Sequence, residues 1–229
     1  MNQTIKIHAF LAHKGVASRR KAEELVAQGL VTVNGELAVI GQRVNPDKDD
    51  VTVKGLHLSH AEKKRYFLVY KPVGYISTTH DELQRRNVLS LVQDVEERLY
   101  PVGRLDKDSE GLMLLTNDGD LAYKLTHPKF QLQKTYEVTV SGKPSPAALS
   151  HLKRGVKLSE GYIRPDEVTV LESEDGKTVL HITIHQGLNR QIRRMFERIG
   201  YDIIKLVRIR LDKWTLDDLA GQAVREISL

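Results

Sequence analysis

The 229-residue sequence contains no cysteine. That excludes a disulfide framework and a thiolate metal site, and it suits a reducing cytosol. No apolar run approaches the roughly 18 residues that a membrane span requires. The opening Met1-Asn2-Gln3-Thr4-Ile5-Lys6 lacks the apolar core of a signal peptide. A cytoplasmic location away from membranes is therefore expected. There is no glycine-rich phosphate loop, and no histidine pair or carboxylate cluster at the spacing of a nuclease or metal site. Long strand–helix–strand alternation is missing too. An α+β fold with a mostly antiparallel or mixed sheet is expected rather than a doubly wound one. What the sequence does have is basic charge. A net charge of +5 and a pI of about 9.3 point to a polyanionic partner.

The run Leu112-Met113-Leu114-Leu115-Thr116, closed by Asn117-Asp118-Gly119, predicts a buried strand ending in a turn. Just before it stands Gly103-Arg104-Leu105-Asp106, leading through Lys107-Asp108-Ser109-Glu110-Gly111. Asp106 thus sits in a short loop at the start of a rigid strand, a well-aimed position. Arg104 lies two residues away, and a nearby cation favours the ionised carboxylate. The residues leave three readings of Asp106. It could be a turn acid bonding its own loop. It could open a calcium loop with Asp108, Glu110 and Gly111, but Asn117 stands where the closing glutamate belongs and a strand follows where a helix should. Or it could be a catalytic carboxylate.

Taken in order, Ile7, Phe10 and Leu11 share helical spacing. Ser18 reads as a helix N-cap and Gly29 as its stop, with Ala22, Leu25 and Val26 on one face. Val31-Thr32-Val33, Asn34-Gly35 and Glu36-Leu37-Ala38 predict a hairpin, and Val51-Thr52-Val53 another strand. Lys14, Arg19, Arg20 and Lys21 gather at the start of the second helix. That is a phosphate site or a solvated face balanced by Glu23 and Glu24. Lys54 to Arg65 reads as linker, so a domain over residues 1–60, linker to about 65, and a domain over 66–229 are expected. In the second domain, Tyr66 to Tyr70 predicts a strand and Lys71-Pro72-Val73-Gly74-Tyr75 a turn. His80 to Asn87 reads as a mobile polar loop carrying Arg85 and Arg86. Helices are predicted over Asp120 to His127 and from Ser145-Pro146 to Gly155. Strands are predicted over Thr135 to Val140, Val168 to Leu171, Val179 to Ile184 and Ile203 to Arg210. Ile192, Met195, Phe196 and Ile199 form one helical face. Arg193 falls at its border and can reach inward to a carboxylate, whereas Arg190 and Arg194 suit phosphates or solvent. On residue type alone, Tyr136 and Leu206 are core packing.

The pattern G-R-L-D-x-x-S/T-x-G-L-L/M-L-L-T-x-D-G over Gly103 to Gly119 resembles the signature of the RsuA/RluB family of pseudouridine synthases. Lys71-Pro72-x-Gly74, Lys134-Thr135-Tyr136 and Asn189-Arg190-Gln191-Ile192-Arg193-Arg194-Met195 resemble that family's other motifs. Phe10 to Arg20, with Val31 to Gly35, resembles the small RNA-binding domain named after ribosomal protein S-four. The resemblance implies isomerisation of a uridine within ribosomal RNA. It implies Asp106 as catalytic carboxylate, Arg193 paired with it, Tyr136 against the target base and Leu206 packed beside the nucleotide. Arg104 would help hold the flipped nucleotide. Lys14, Arg19, Arg20, Lys21, Arg190 and Arg194 would contact RNA. No cofactor or metal is implied, and a monomer is expected. The first domain and the Lys-Asp-Ser-Glu loop look more like the large-subunit enzymes, with small-subunit RNA the alternative. The substrate is naked RNA or a partly assembled particle. A non-catalytic ribosome-assembly factor on the same fold would keep the basic patches without needing Asp106, Tyr136 and Arg193 together.

Overall fold

The computed structural model describes residues 4–58, 63–79 and 81–229. The chain forms two compact units: one of Met1–Arg65 with Val95–Arg98 and Asn117–Gly119, the other of Tyr66–Asp94, Leu99–Thr116 and Asp120–Leu229. The first runs β1 (Ile5–Lys6), α1 (Ile7–His13), α2 (Arg19–Ala27), β2 (Val31–Val33), β3 (Glu36–Leu37), β4 (Arg43–Val44), β5 (Val51–Val53) and β6 (Leu56–His57). Ser18 caps α2, its hydroxyl accepting from the Lys21 N–H at 3.3 Å. Ile7 and Leu11 of α1 and Ala22 and Val26 of α2, each pair four residues apart on one helix face, interlock with Val31 of β2 in one core. Asn34 and Gly35 both take positive φ, 51° and 86°, which the right-handed strand twist demands of a two-residue hairpin turn.

One expectation is corrected in this unit. The segment from Lys54, read as linker, begins with another hairpin. Lys54 and Gly55 turn the chain at φ 51° and 76°, and β6 pairs with β5 through Thr52↔His57 and Val53↔Leu56. The remaining linker positions include 59–62, which lie outside the described residues.

The second unit is built on a sheet of nine strands among the described residues: β7 (Tyr66–Lys71), β8 (Tyr100–Pro101), β9 (Glu110–Thr116), β10 (Lys134–Ser141), β13 (Glu167–Glu174), β14 (Lys177–Ile184), β15 (Ile203–Leu211), β16 (Trp214–Thr215) and β17 (Val224–Glu226). Between them run α3 (Gly119–Thr126), α4 (Pro146–Arg154), α5 (Gln191–Arg198) and a separate hairpin, β11 (Val156–Leu158) with β12 (Gly161–Ile163). The sheet order is β13-β14-β10-β15-β9-β7-β17, with β16 on β15 and β8 on β9. All pairs are antiparallel except β15 with β9, so the sheet is mixed, and the fold is α+β.

The central strand β9 explains its own sequence. It pairs with β7 on one edge and β15 on the other. Leu112, Met113, Leu114 and Leu115 are all fully buried, so the strand is apolar on both faces rather than alternating. Each side chain contributes roughly 2 kcal/mol by burial. Gly111 is the hinge of the parallel join. It sits opposite Arg208 at φ 111°, and a Cβ there would lie 2.6 Å from the Arg208 amide nitrogen. Only glycine lets the two backbones approach so closely. Farther along, Ser145 caps α4, accepting from the Ala148 N–H at 3.1 Å, with Pro146 in the first turn.

The loop read as mobile is tied down where it is described. The Arg85 backbone N–H donates to an Asp81 carboxylate oxygen at 2.7 Å, and its guanidinium grips the same carboxylate. Ile76 and Asn87 form a bridge across the loop's base. His80 lies outside the described residues.

Candidate active site

Asp106 occupies the loop between β8 and β9, and that loop is fixed from several directions. The Ser77 hydroxyl donates to the Leu105 carbonyl at 2.8 Å and accepts from the Leu105 N–H at 3.1 Å. The Gly74 N–H donates to the Lys107 carbonyl at 2.7 Å, and the Ser109 N–H closes a turn on the Asp106 carbonyl at 3.1 Å. The Lys-Pro-x-Gly turn therefore acts as a buttress. Gly74, at φ 93°, presents its amide to the Asp106 loop. Lys71 is wholly buried and holds the turn from inside, its amine donating to the carbonyls of Pro72 at 3.0 Å and Tyr75 at 2.8 Å. Burial pulls that amine down to about 8, against the pull of the carboxylates of Asp106, Asp108 and Glu110.

Arg104, Asp106, Tyr136, Arg190, Arg193 and Leu206 all line one cleft of about 330 Å³. Among its described lining residues, Asp106 is the one carboxylate. Tyr136 on β10 and Leu206 on β15 are nearly buried, at 8% and 6% exposed. β10 and β15 are neighbours, with Tyr136 opposite Arg208 and Val138 opposite Leu206. Alternation along each strand puts Tyr136, Leu206 and Arg208 on one face. Arg104 is exposed.

The arginines of α5 are arranged differently from the expectation. Arg190, left-handed at φ 47°, grips Asp108 with both guanidinium amines at 3.0 Å. It stands 3.8 Å from Asp106. Arg193 does not pair with Asp106. Its Nε lies 3.3 Å from the Asp108 carboxylate, and its Nη2 donates to the Asp108 carbonyl at 2.8 Å. The physical reason is reach. The 106–109 turn brings the Asp108 backbone and carboxylate to the border position of α5, where Arg193 emerges. Asp106 still acts on Arg193 through space, while burial lowers Arg193 from the usual arginine value. The grip of Arg190 holds the Asp108 carboxyl below the usual carboxylate range.

Arg194, expected at phosphates or solvent, has protein partners. It is bound bidentately to Glu160 at 2.8 Å and to the Ser159 hydroxyl at 3.1 Å, across the unforeseen β11–β12 hairpin. In the first unit, Lys21 pairs with Glu24 at 2.7 Å, and Arg19 bonds the ring of His8 at 3.1 Å. Lys14 lies 5.5 Å over the Phe10 ring, and Arg20 is exposed.

Three residues in or next to the cleft were given no role of their own from the sequence. Arg208 is 1% exposed. Its Nε donates to the Leu112 carbonyl at 2.7 Å, while its buried Nη2 has no partner among the described residues. An arginine two places after Leu206 on a strand was the available signal. Lys134 donates to the carbonyls of Leu132 and His185 at 3.2 Å, and burial lowers its amine. Asp108 was visible only as a calcium-spacing acid. Among the described residues, no group of three or more His, Cys, Asp or Glu is placed to hold a metal ion. No helix among them is long and apolar enough to cross a membrane.

Comparisons with known proteins show the family. Residues 65–198 match the family model described as RNA pseudouridylate synthase, and residues 5–50 match the S4 domain. The chain is 45% identical over 206 residues to ribosomal large subunit pseudouridine synthase B of Bacillus subtilis, covering 89% of this chain and 84% of that protein. It is 38% identical to an uncharacterized RNA pseudouridine synthase of Aquifex aeolicus, covering 98% and 90%. A crystal structure of a pseudouridylate synthase superposes with a TM-score of 0.66 at 26% identity, covering 98% of this chain and 96% of that one. With an S4 domain ahead of a catalytic unit whose cleft gathers one carboxylate, a tyrosine and several arginines, the chain belongs to the RNA pseudouridylate synthase family.

Proposed function

We propose that the chain isomerises one specific uridine of large-subunit ribosomal RNA to pseudouridine, with Asp106 as the catalytic carboxylate. The observation that carries this is the position of Asp106 as the one carboxylate among the described cleft residues. The B. subtilis relative, named for the large subunit, supports the choice of RNA.

The reaction breaks the bond from the sugar C1′ to uracil N1 and makes one from C1′ to C5. The proton on C5 is lost and N1 gains one, so nothing is oxidised or reduced. A carboxylate that engages the sugar is the main chemical requirement. Asp106 serves it, aimed by its pinned loop and with Arg190 3.8 Å away. A uridine taken out of its stack loses stacking energy, and the Tyr136 ring returns part of it. Leu206 packs against the nucleotide, and Arg104 takes its phosphate. Arg193 acts through Asp108, fixing the turn that carries Asp106. Lys14, Arg19, Arg20 and Lys21 of the S4 domain supply salt-sensitive RNA affinity. We place the RNA-binding domain at residues 1–60 with its linker to about 65 and the catalytic domain at 66–229, and the site works within a single chain in the cytoplasm.

The test is pseudouridine formation on unmodified transcripts of both ribosomal RNAs. Product at a single position of the large-subunit transcript is expected. Product on the small-subunit transcript would overturn the choice of RNA. Tight binding without product on either transcript, or on partly assembled particles, would overturn the enzyme reading in favour of an assembly factor.

A further inference from the structure

Beside the catalytic cleft lies a second depression of about 440 Å³. It shares Gly103, Arg104 and Thr126 with the cleft, so the two are continuous. Tyr123 of α3 and Thr79 are among its lining residues. Three features set this groove apart from ordinary surface.

First, Tyr123 is 47% exposed, and Phe130, just past α3, is 39% exposed. Large rings left this open on a helix face lose burial energy unless something covers them. Second, the rings are not loose. Tyr123 packs on the His127 ring at 4.7 Å between centroids and meets Phe130 edge-on at 6.0 Å, a favourable aromatic geometry. The Lys129 amine sits 5.2 Å from the Tyr123 ring and 4.7 Å from the Phe130 ring, within cation–π range. The result is a rigid aromatic platform with a cation attached. Third, Arg104 stands at the junction of groove and cleft, exposed and without an ion-pair partner among the described residues.

We propose that this groove is a second nucleotide subsite. It takes the unpaired nucleotide next to the target uridine, its base stacked on Tyr123. Arg104 holds the phosphate between the two nucleotides, and Lys129 adds charge at the groove's outer end. An aromatic face beside a basic track is how proteins hold single-stranded nucleic acid without reading its sequence. Such a site keeps the flipped uridine from returning to its stack, because its neighbour is already stacked elsewhere. The inference rests on the RNA-isomerase reading above.

The test places 2-aminopurine, whose fluorescence falls on stacking, on either side of the target uridine in the substrate RNA. Binding is measured with full-length protein carrying Asp106→Asn, so that no turnover intervenes. Quenching at one flanking position is expected. It should be lost with Tyr123→Ala and kept with Tyr123→Phe. In the active protein, Tyr123→Ala should raise KM roughly 5- to 150-fold, the range for one lost base–aromatic stack, with kcat within about twofold. Lys129→Ala should lower the salt slope of binding by about one. If the wild type converts the RNA but neither flanking base is quenched, or Tyr123→Ala leaves KM unchanged, the subsite is wrong. The aromatic cluster would then belong to a protein contact. If the wild type converts no RNA, the isomerase reading fails and takes the subsite with it.

Discussion

Lys71 offers a sharp physical test of how the Asp106 loop is supported. Its side chain is wholly buried, and its amine falls from the usual 10.5 to about 8 because burial penalises the charge. Asp106, Asp108 and Glu110 oppose that fall, and Arg208 adds to it. The folded chain therefore releases this proton at lower pH than the unfolded chain. Below about pH 8 both states are protonated, and the full penalty of burying an ammonium bears on the fold. Between about pH 8 and 10.5 the unfolded chain binds the extra proton, so the stability contributed by Lys71 rises with pH. A gap of about 2.5 pH units corresponds to about 3.4 kcal/mol, of which about 2 kcal/mol returns between pH 7 and pH 9.5. Lys71→Met removes the titration and keeps the volume. Urea unfolding of both proteins at the two pH values is the assay. Wild type should gain about 2 kcal/mol on the variant as pH rises. The amine's bonds to Pro72 and Tyr75 act at both values, so they cancel in the comparison. A wild-type-minus-variant difference that stays flat, or falls with pH, would refute the reasoning.

Two further outcomes follow from the site. Gly111→Ala puts a methyl against the Arg208 backbone at a φ of 111°. It should destabilise the fold by about 3 kcal/mol or more, seen as a lower Tm and lost activity. Asp108→Asn frees Arg190 to close on Asp106 and loosens Arg193. In steady-state kinetics, kcat should drop about tenfold or more while KM stays within about twofold, with partial recovery in Asp108→Glu.

The sequence made most elements legible because their local signals and their burial agree. The run Leu112 to Leu115 is continuous because β9 is covered on both faces. Ser18 and Ser145 cap helices as their positions announce. Asn34-Gly35 and Asp175-Gly176 turn with positive φ. The short β11–β12 hairpin and β17 were not legible. They are three residues each, too short for a period, and β17 exists because the edge of β7 needs a partner. The gathering of Asp106, Tyr136 and Leu206 in one cleft follows from motifs that are far apart in the chain. The partner of Arg193 did not follow, because helical angle gives direction but not which carboxylate a turn presents. Likewise, Arg194 looked free only while the Glu160 hairpin was unseen.

The most direct test of the central claim is tritium release from ribosomal RNA labelled at uridine C5, since forming the C1′–C5 bond expels that hydrogen. Wild type and Asp106→Asn are compared at equal RNA occupancy, established by binding at the same salt. Wild type should release one tritium per target uridine. Asp106→Asn, isosteric but without the charge, should release none above background while binding the RNA as well as wild type. Release by Asp106→Asn at a rate near wild type would contradict the account.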